Sequence, residues 1–326
     1  MEIVKNSAVC TLFEGNYHFG VASLANSLFK QGFRGSIYAG YRGKLPVWAA
    51  AAISNIALDW KDAVTLEIST DFNLHFLPLD TDYHLTNYKP DFMLKLWDGI
   101  AARADAMYYF DPDIVITAPW FFFEKWVESG VALCEDVNSP LTKNHPTRIA
   151  WRKYFATLDI TLKFKDQIYV NGGFTGVVRN DRSFLETWKR VQEGMALTIG
   201  GLSKSAFTTG LQLAEDAQGP FAPFGKTDQD ALNATVEAWD GETSLITQEG
   251  MGFRAGLTIM PHALGQPKPW NWKIIRQSIG GKSPRLVDRE YWKSAEGPIR
   301  AYSGGYIKRK KMAMAFAIIL NRFYKK

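Results

Sequence analysis

Short apolar runs that alternate with helical patterns constrain this chain more than any other feature. Residues 7–13 (SAVCTLF) have the length and apolarity of a buried strand, and a turn at Glu14-Gly15-Asn16 leads into a helical pattern over 19–31. A second strand follows at 36–41. An Ala-rich amphipathic stretch, 47–56, precedes an apolar run at 74–77, and Pro90 opens a helix expected to reach about residue 104. Further strands are expected at 106–110, 131–134, 173–179 and 256–260, with helices at 183–195 and 229–238. Strands alternating with helices predict an α/β fold, with a mostly parallel central sheet covered by helices on both faces. From Pro261 onward Gly, Pro and Trp recur, and this part reads as an ordered loop layer.

With 326 residues, 46% of them hydrophobic, the chain can bury a large core, and its 11 Trp serve core packing first. The two cysteines, Cys10 and Cys134, each lie in an apolar strand run, which predicts two buried free thiols and a reducing compartment. The opening MEIVKNSAVC carries neither a basic n-region nor a long apolar stretch, so a cytoplasmic location is expected. The net charge of +5 is unevenly placed: residues 307–326 hold seven Lys/Arg and no acid, which leaves −2 for the rest. That balance argues against a nucleic-acid partner.

Chemistry enters where the strand 106–110 (AMYYF) ends at Asp111-Pro112-Asp113. Open α/β sheets bind ligands beyond the carboxyl ends of their strands. The proline restricts the backbone between the two carboxylates, which repel by about 4 kcal/mol at roughly 4 Å and an effective dielectric of about 20. A hard divalent cation such as Mn²⁺ or Mg²⁺ reverses that repulsion and bridges to phosphate oxygens. A lone Asp-x-Asp after a strand is more often a solvated turn than a metal site.

The string YYFDPDIVI resembles the Asp-x-Asp strand end of nucleotide-sugar glycosyltransferases. Further segments over residues 8–275 resemble, in order and spacing, glycosyltransferase family 8, the family of glycogenin and bacterial lipo-oligosaccharide galactosyltransferases. They are TLFEGNY, the lysine of PDFMLKLW, LCEDV, VNGGFTGV, KTDQDALN and HALGQPKPW. The resemblance implies a GT-A fold with a Rossmann-like mixed sheet, divided into a catalytic domain 1–275, an extension 276–306 and a basic amphipathic helical tail 307–326.

Residue by residue, the resemblance places Thr11, Glu14, Asn16 and Tyr17 against the base and ribose of the donor, and Lys95 against its diphosphate. It puts Asn171, Gly172 and Asp136 near the donor sugar, and Asp228, Gln229 and Asp230 under the anomeric carbon. His262 becomes the third metal ligand beside Asp111 and Asp113, with Mn²⁺ favoured by the imidazole. Gly265 belongs to the same motif, and Lys268 neutralises the departing diphosphate. A hexosyltransferase is therefore implied, retaining, with a UDP-hexose donor and a glycan or lipid-linked acceptor, in surface polysaccharide or lipopolysaccharide biosynthesis.

Two other classes share parts of this pattern. A sugar-nucleotide nucleotidyltransferase also uses a strand-end carboxylate and a metal, but needs a Gly-rich basic loop after the first strand, and TLFEGNY has none. A non-catalytic glycan- or nucleotide-sugar-binding module would keep the fold without the chemistry. In the tail, cations flank an apolar run, 312–320, that is too short to span a bilayer. A helix lying on an anionic membrane, hence a peripheral location, is expected, against the alternatives of packing on the body or an oligomer contact.

Overall fold

The computed structural model describes residues 6–207, 213–215, 218–219 and 221–324, without the side chains of 321, 323 and 324. Residues 1–5 of the opening segment and 325–326 of the basic tail lie outside the described residues.

The first apolar run forms β1 (Ser7–Glu14), and the helical pattern after it forms α1 (His18–Lys30). Parallel partners flank β1: β2 (Gly35–Arg42) on one side and β6 (Ala106–Phe110) on the other. Alternate side chains of a strand point to opposite faces, so β1 sends Val9 and Phe13 into one core and Ala8, Cys10 and Leu12 into the other. Val21, Leu24 and Leu28 of α1 cover the first, with Phe123 and Trp126 of α3 (Trp120–Val127). Phe92 and Leu96 of α2 (Lys89–Asp98) and Phe184 and Trp188 of α5 (Ser183–Ile199) cover the second. Burial on both faces is why these strands read as continuous apolar runs. Both cysteines are free and buried.

The remaining strands are β3 (Ile53–Ser54), β4 (Val64–Ser69), β5 (Phe72–Pro78), β7 (Val131–Cys134), β8 (Phe174–Val178) and β9 (Thr243–Ile246). Among the described residues the sheet order is β3-β4-β5-β2-β1-β6-β8-β7-β9. The pairs β1/β2, β2/β5, β1/β6 and β7/β9 are parallel, while β8 runs antiparallel to both β6 and β7, so the sheet is mixed.

Several elements differ from the sequence expectation. Residues 47–56 form a 3₁₀ turn, the edge strand β3 and the start of a second 3₁₀ turn, with Val47, Ile53 and Ile56 exposed while Trp48, Ala49 and Ala52 pack on the core. Helix α2 stops at Asp98, before Gly99, whose backbone freedom disfavours continuation. Residues 256–260 make no strand, because the Ile259 and Met260 amides both donate to Gly250 O, across a tight loop. After Pro261 the ordered loop extends only to Lys273. It gives way to α7 (Ile274–Ile279), α8 (Leu286–Ser294) and α9 (Gly304–Tyr324), which pack around Trp270, Trp272, Tyr291 and Trp292. Two more helices, α4 (Pro146–Ala156) and α6 (Thr227–Ala238), complete the described set.

Candidate active site

The Asp-Pro-Asp turn leaves β6 where the parallel strands end. Asp111 N donates to Gly173 O (2.7 Å) and Ile114 N to Asp111 O (3.0 Å), so the turn is pinned to the entry of β8 and to itself. Helix α1 passes close behind it: a Cβ at Gly20 would lie 2.2 Å from Pro112 O, and only glycine admits that approach.

His262, far along the chain, reaches this turn by a short antiparallel pairing. Ile114 and His262 form a β-bridge, Val115 N donates to Pro261 O (3.1 Å) and Ala263 N donates to Asp113 O (3.1 Å). The imidazole Nε2 lies 3.2 Å from Asp113 Oδ1 and 3.9 Å from Asp111 Oδ2. One ligand atom from each of Asp111, Asp113 and His262 falls within 4.8 Å of the other two. Gly173 makes room for the ring, since a Cβ there would meet His262 Cε1 at 2.6 Å.

The imidazole is held from behind. Its Nδ1 is 3.1 Å from Asn171 Oδ1, and Asn171 Nδ2 donates to Asp136 Oδ2 (2.6 Å). Asp136 thereby orients the amide so that its oxygen faces the ring, Nδ1 carries the proton, and the Nε2 lone pair points at the two aspartates. Two carboxylates and an imidazole of fixed tautomer fit a divalent cation.

Two buried ammonium groups complete the charge pattern. Lys268 Nζ donates to Asp113 Oδ2 (2.5 Å) and to Ala263 O (2.8 Å). Burial alone would raise the Asp113 carboxyl, but the Lys268 ammonium beside it outweighs that and holds it well below the usual carboxylate range. Lys89, the first residue of α2, lies 3.3 Å from both Asp111 Oδ1 and Asp228 Oδ2 and donates to Gly172 O (2.7 Å). Burial would lower its pKa, but the two carboxylates reverse the shift and keep it charged. Asp228 is pushed up to about 6, chiefly by burial against the pull of Lys89, and its Oδ1 has no hydrogen-bond partner among the described residues.

These groups line a cavity of about 450 Å³, which also takes in Glu14, Tyr17, His84, Thr86, Phe207, Gln229 and Gly265. No protein-family model matches the sequence, and no curated protein matches it. Among solved structures, the chain superposes on the apo form of WbbM, a bifunctional glycosyltransferase, with a TM-score of 0.52 and 14% identity, over 96% of this chain and 53% of WbbM. The fold is GT-A-like.

The chain thus spans about half the length of WbbM. The galactosyltransferase LgtC, solved with donor and acceptor sugar analogs, gives a TM-score of 0.49 at 12% identity, over 93% of this chain and 99% of its own. The glycosyltransferase GlyE of Streptococcus pneumoniae TIGR4 gives 0.47 at 14%, over 96% and 64%.

Within this GT-A-like fold the cavity gathers Glu14, Tyr17, Asp111, Asp113, Asn171, Gly172, Asp228, Gln229, His262, Gly265 and Lys268. Five residues singled out from the sequence lie elsewhere. Lys95 is exposed, its Nζ 4.1 Å over the Trp60 ring, and of the two α2 lysines it is Lys89 that faces Asp111. Asp136 is buried behind Asn171 and takes both the backbone and side-chain amides of Asn138, which leaves it an orienting role. Asp230 accepts from the Tyr169 hydroxyl (2.7 Å) and from Lys226 N (2.7 Å), and so fixes the start of α6. Thr11 is buried within the sheet, and Asn16 is exposed on the turn after β1. Glu14 keeps its place at the cavity rim but is paired with Arg42 at 2.9 Å.

Arg285 and Asp288, at the start of α8, brace the site. Arg285 donates to Leu264 O (2.8 Å) and Pro267 O (2.9 Å) while its guanidinium also pairs with Asp288, which locks the loop between His262 and Lys268 onto the start of α8.

Proposed function

We propose that this chain is a divalent-metal-dependent, retaining hexosyltransferase that takes its sugar from a UDP-hexose and delivers it to a hydroxyl of a glycan or lipid-linked acceptor, in surface polysaccharide or lipopolysaccharide biosynthesis. The observation that carries this reading is the convergence of Asp111, Asp113 and His262 beyond the strand ends, in a cavity that also holds two buried ammonium groups. A bound Mn²⁺, or Mg²⁺ in its place, supplies a Lewis acid for the diphosphate. The protein's own share is electrostatic. When the bond between the anomeric carbon and the diphosphate breaks, negative charge collects on the departing oxygen, and Lys268 is preorganised to meet it. Asp228, paired with Lys89, and Gln229, which accepts from Gly172 N (3.4 Å), both line the cavity, and in this reading they hold the sugar.

Among the described residues no helix is long and apolar enough to cross a membrane. One feature supports a peripheral position at its surface. Helix α9 buries Ile307, Met314 and Ala317 against the body and leaves Met312, Phe316 and Ile319 exposed between cations. A cation-flanked apolar face of this kind suits an anionic membrane surface.

A thermal-shift series with UDP-glucose and UDP-galactose, each with and without Mn²⁺, tests the donor reading, because a ligand of the folded state raises the apparent stability. The melting temperature should rise when sugar nucleotide and Mn²⁺ are present together. Absence of a shift with every sugar nucleotide contradicts the assignment, and donor hydrolysis in Mn²⁺ separates an enzyme from a binding module.

A further inference from the structure

A second cavity, of about 420 Å³, lies between the end of α8 and the first turns of α9. Its charged lining is Arg300, Lys308, Lys311 and Glu296, with Tyr302 and Gly304 beside them. Glu296 pairs with Lys311, and among the described residues neither Arg300 nor Lys308 has a carboxylate partner. The groove therefore carries an excess of two positive charges. The positive end of the α9 dipole, which begins at Gly304, adds to it.

The groove is built on rigid supports. Asn26, buried in α1, donates to Ile299 O (2.9 Å) and accepts from Ile299 N (2.9 Å), which fixes the backbone before Arg300. Tyr302 stacks on Phe19 with ring centroids 4.9 Å apart, and its hydroxyl is 2.8 Å from that of Tyr291. Lys308 also stands on the same face of α9 as the exposed Met312 and Ile319, at helical spacings of four and eleven residues. A cationic hollow at one end of a face and apolar side chains along it match a phosphate headgroup with its acyl chains alongside.

We propose that this groove binds the phosphate headgroup of an anionic lipid through Arg300 and Lys308. The proposal rests on the membrane reading above and assigns to it a defined headgroup site. Free phosphate shares the same chemistry, so the test has an arm for each source. The full chain is titrated with phosphatidylcholine vesicles with and without phosphatidic acid, and separately with inorganic phosphate. Three variants are compared with wild type: Arg300→Gln/Lys308→Gln in the groove, Arg309→Gln/Arg322→Gln on α9 outside it, and Met312→Ser/Phe316→Ser on the apolar face.

The groove pair should weaken binding to phosphatidic acid vesicles by about tenfold or more, and more than the pair outside the groove. Equal losses from the two cation pairs would mean diffuse attraction and overturn the site, though not the membrane reading. Unchanged binding by the groove pair, with loss on Met312→Ser/Phe316→Ser, overturns the site in the same way. Phosphate binding without vesicle binding overturns the lipid assignment. Mn²⁺-dependent donor hydrolysis, measured on each variant, should stay at the wild-type level, which keeps this outcome separate from that of the active-site reading.

Discussion

His262 Nδ1 and Asn171 Oδ1 meet at 3.1 Å, and this contact decides which nitrogen of the imidazole faces Asp111 and Asp113. The amide in turn is oriented by Asp136. Partners of this kind commonly contribute about ten- to a hundredfold in metal affinity. Asp136→Ala is expected to weaken Mn²⁺ binding, measured by calorimetry without donor, by about tenfold or more. Asp136→Asn, which can accept through its remaining oxygen, should recover part of the loss. Equal Mn²⁺ affinity in wild type and Asp136→Ala would show that the amide needs no such support.

Lys89 lies 3.3 Å from Asp111, whereas Lys95 sits over Trp60. Lys89→Met is expected to lower the rate of donor hydrolysis by about a hundredfold, the scale seen when one preorganised donor is removed from a developing charge. Lys95→Met should change it less than about twofold. Comparable losses in the two variants would contradict the assignment of the cation to the start of α2.

Asp230 is pushed up to about 6, first by burial, against donation from Lys226 N and the Tyr169 hydroxyl. Its ordinary value is 3.8, so on raising the pH the unfolded chain releases this proton first and the folded chain keeps it. Its contribution to stability therefore falls between pH 3.8 and about 6 and is level above that. Asp230→Asn removes the titration. Relative to wild type, the variant should gain up to roughly 3 kcal/mol between pH 4 and pH 7 in denaturant unfolding. A stability difference that does not vary with pH would mean that folding leaves the affinity of this carboxyl for its proton unchanged.

Much of the site is legible in the sequence because each part follows a local rule. The apolar run of β6 breaks at Asp111-Pro112-Asp113, which predicts carboxylates beyond a strand end, and that is where they lie. His262 and Lys268 are legible only by resemblance, since the bridge from Ile114 to His262 that joins distant segments leaves no periodic trace. Lys89 is missed in favour of Lys95, although it stands immediately before Pro90, where the start of a helix faces the strand ends. Six residues further along, the helix has advanced about 9 Å and turned its side chain away. Asp136 and Asp230 carry the right chemistry but are spent on protein partners, which sequence spacing cannot reveal. The helices after Pro261 are hidden by their Gly, Pro and Trp content, and packing around Trp270 and Trp292 stabilises them.

The central claim is that one divalent cation is shared by Asp111, Asp113 and His262. The most direct test is UDP-hexose hydrolysis as a function of Mn²⁺ concentration for wild type, Asp113→Asn and His262→Gln, with melting temperatures recorded alongside. The account predicts Mn²⁺-dependent turnover in wild type and a loss of roughly a thousandfold in each variant, with folding retained. Variants that keep the wild-type rate and the wild-type Mn²⁺ dependence would contradict it.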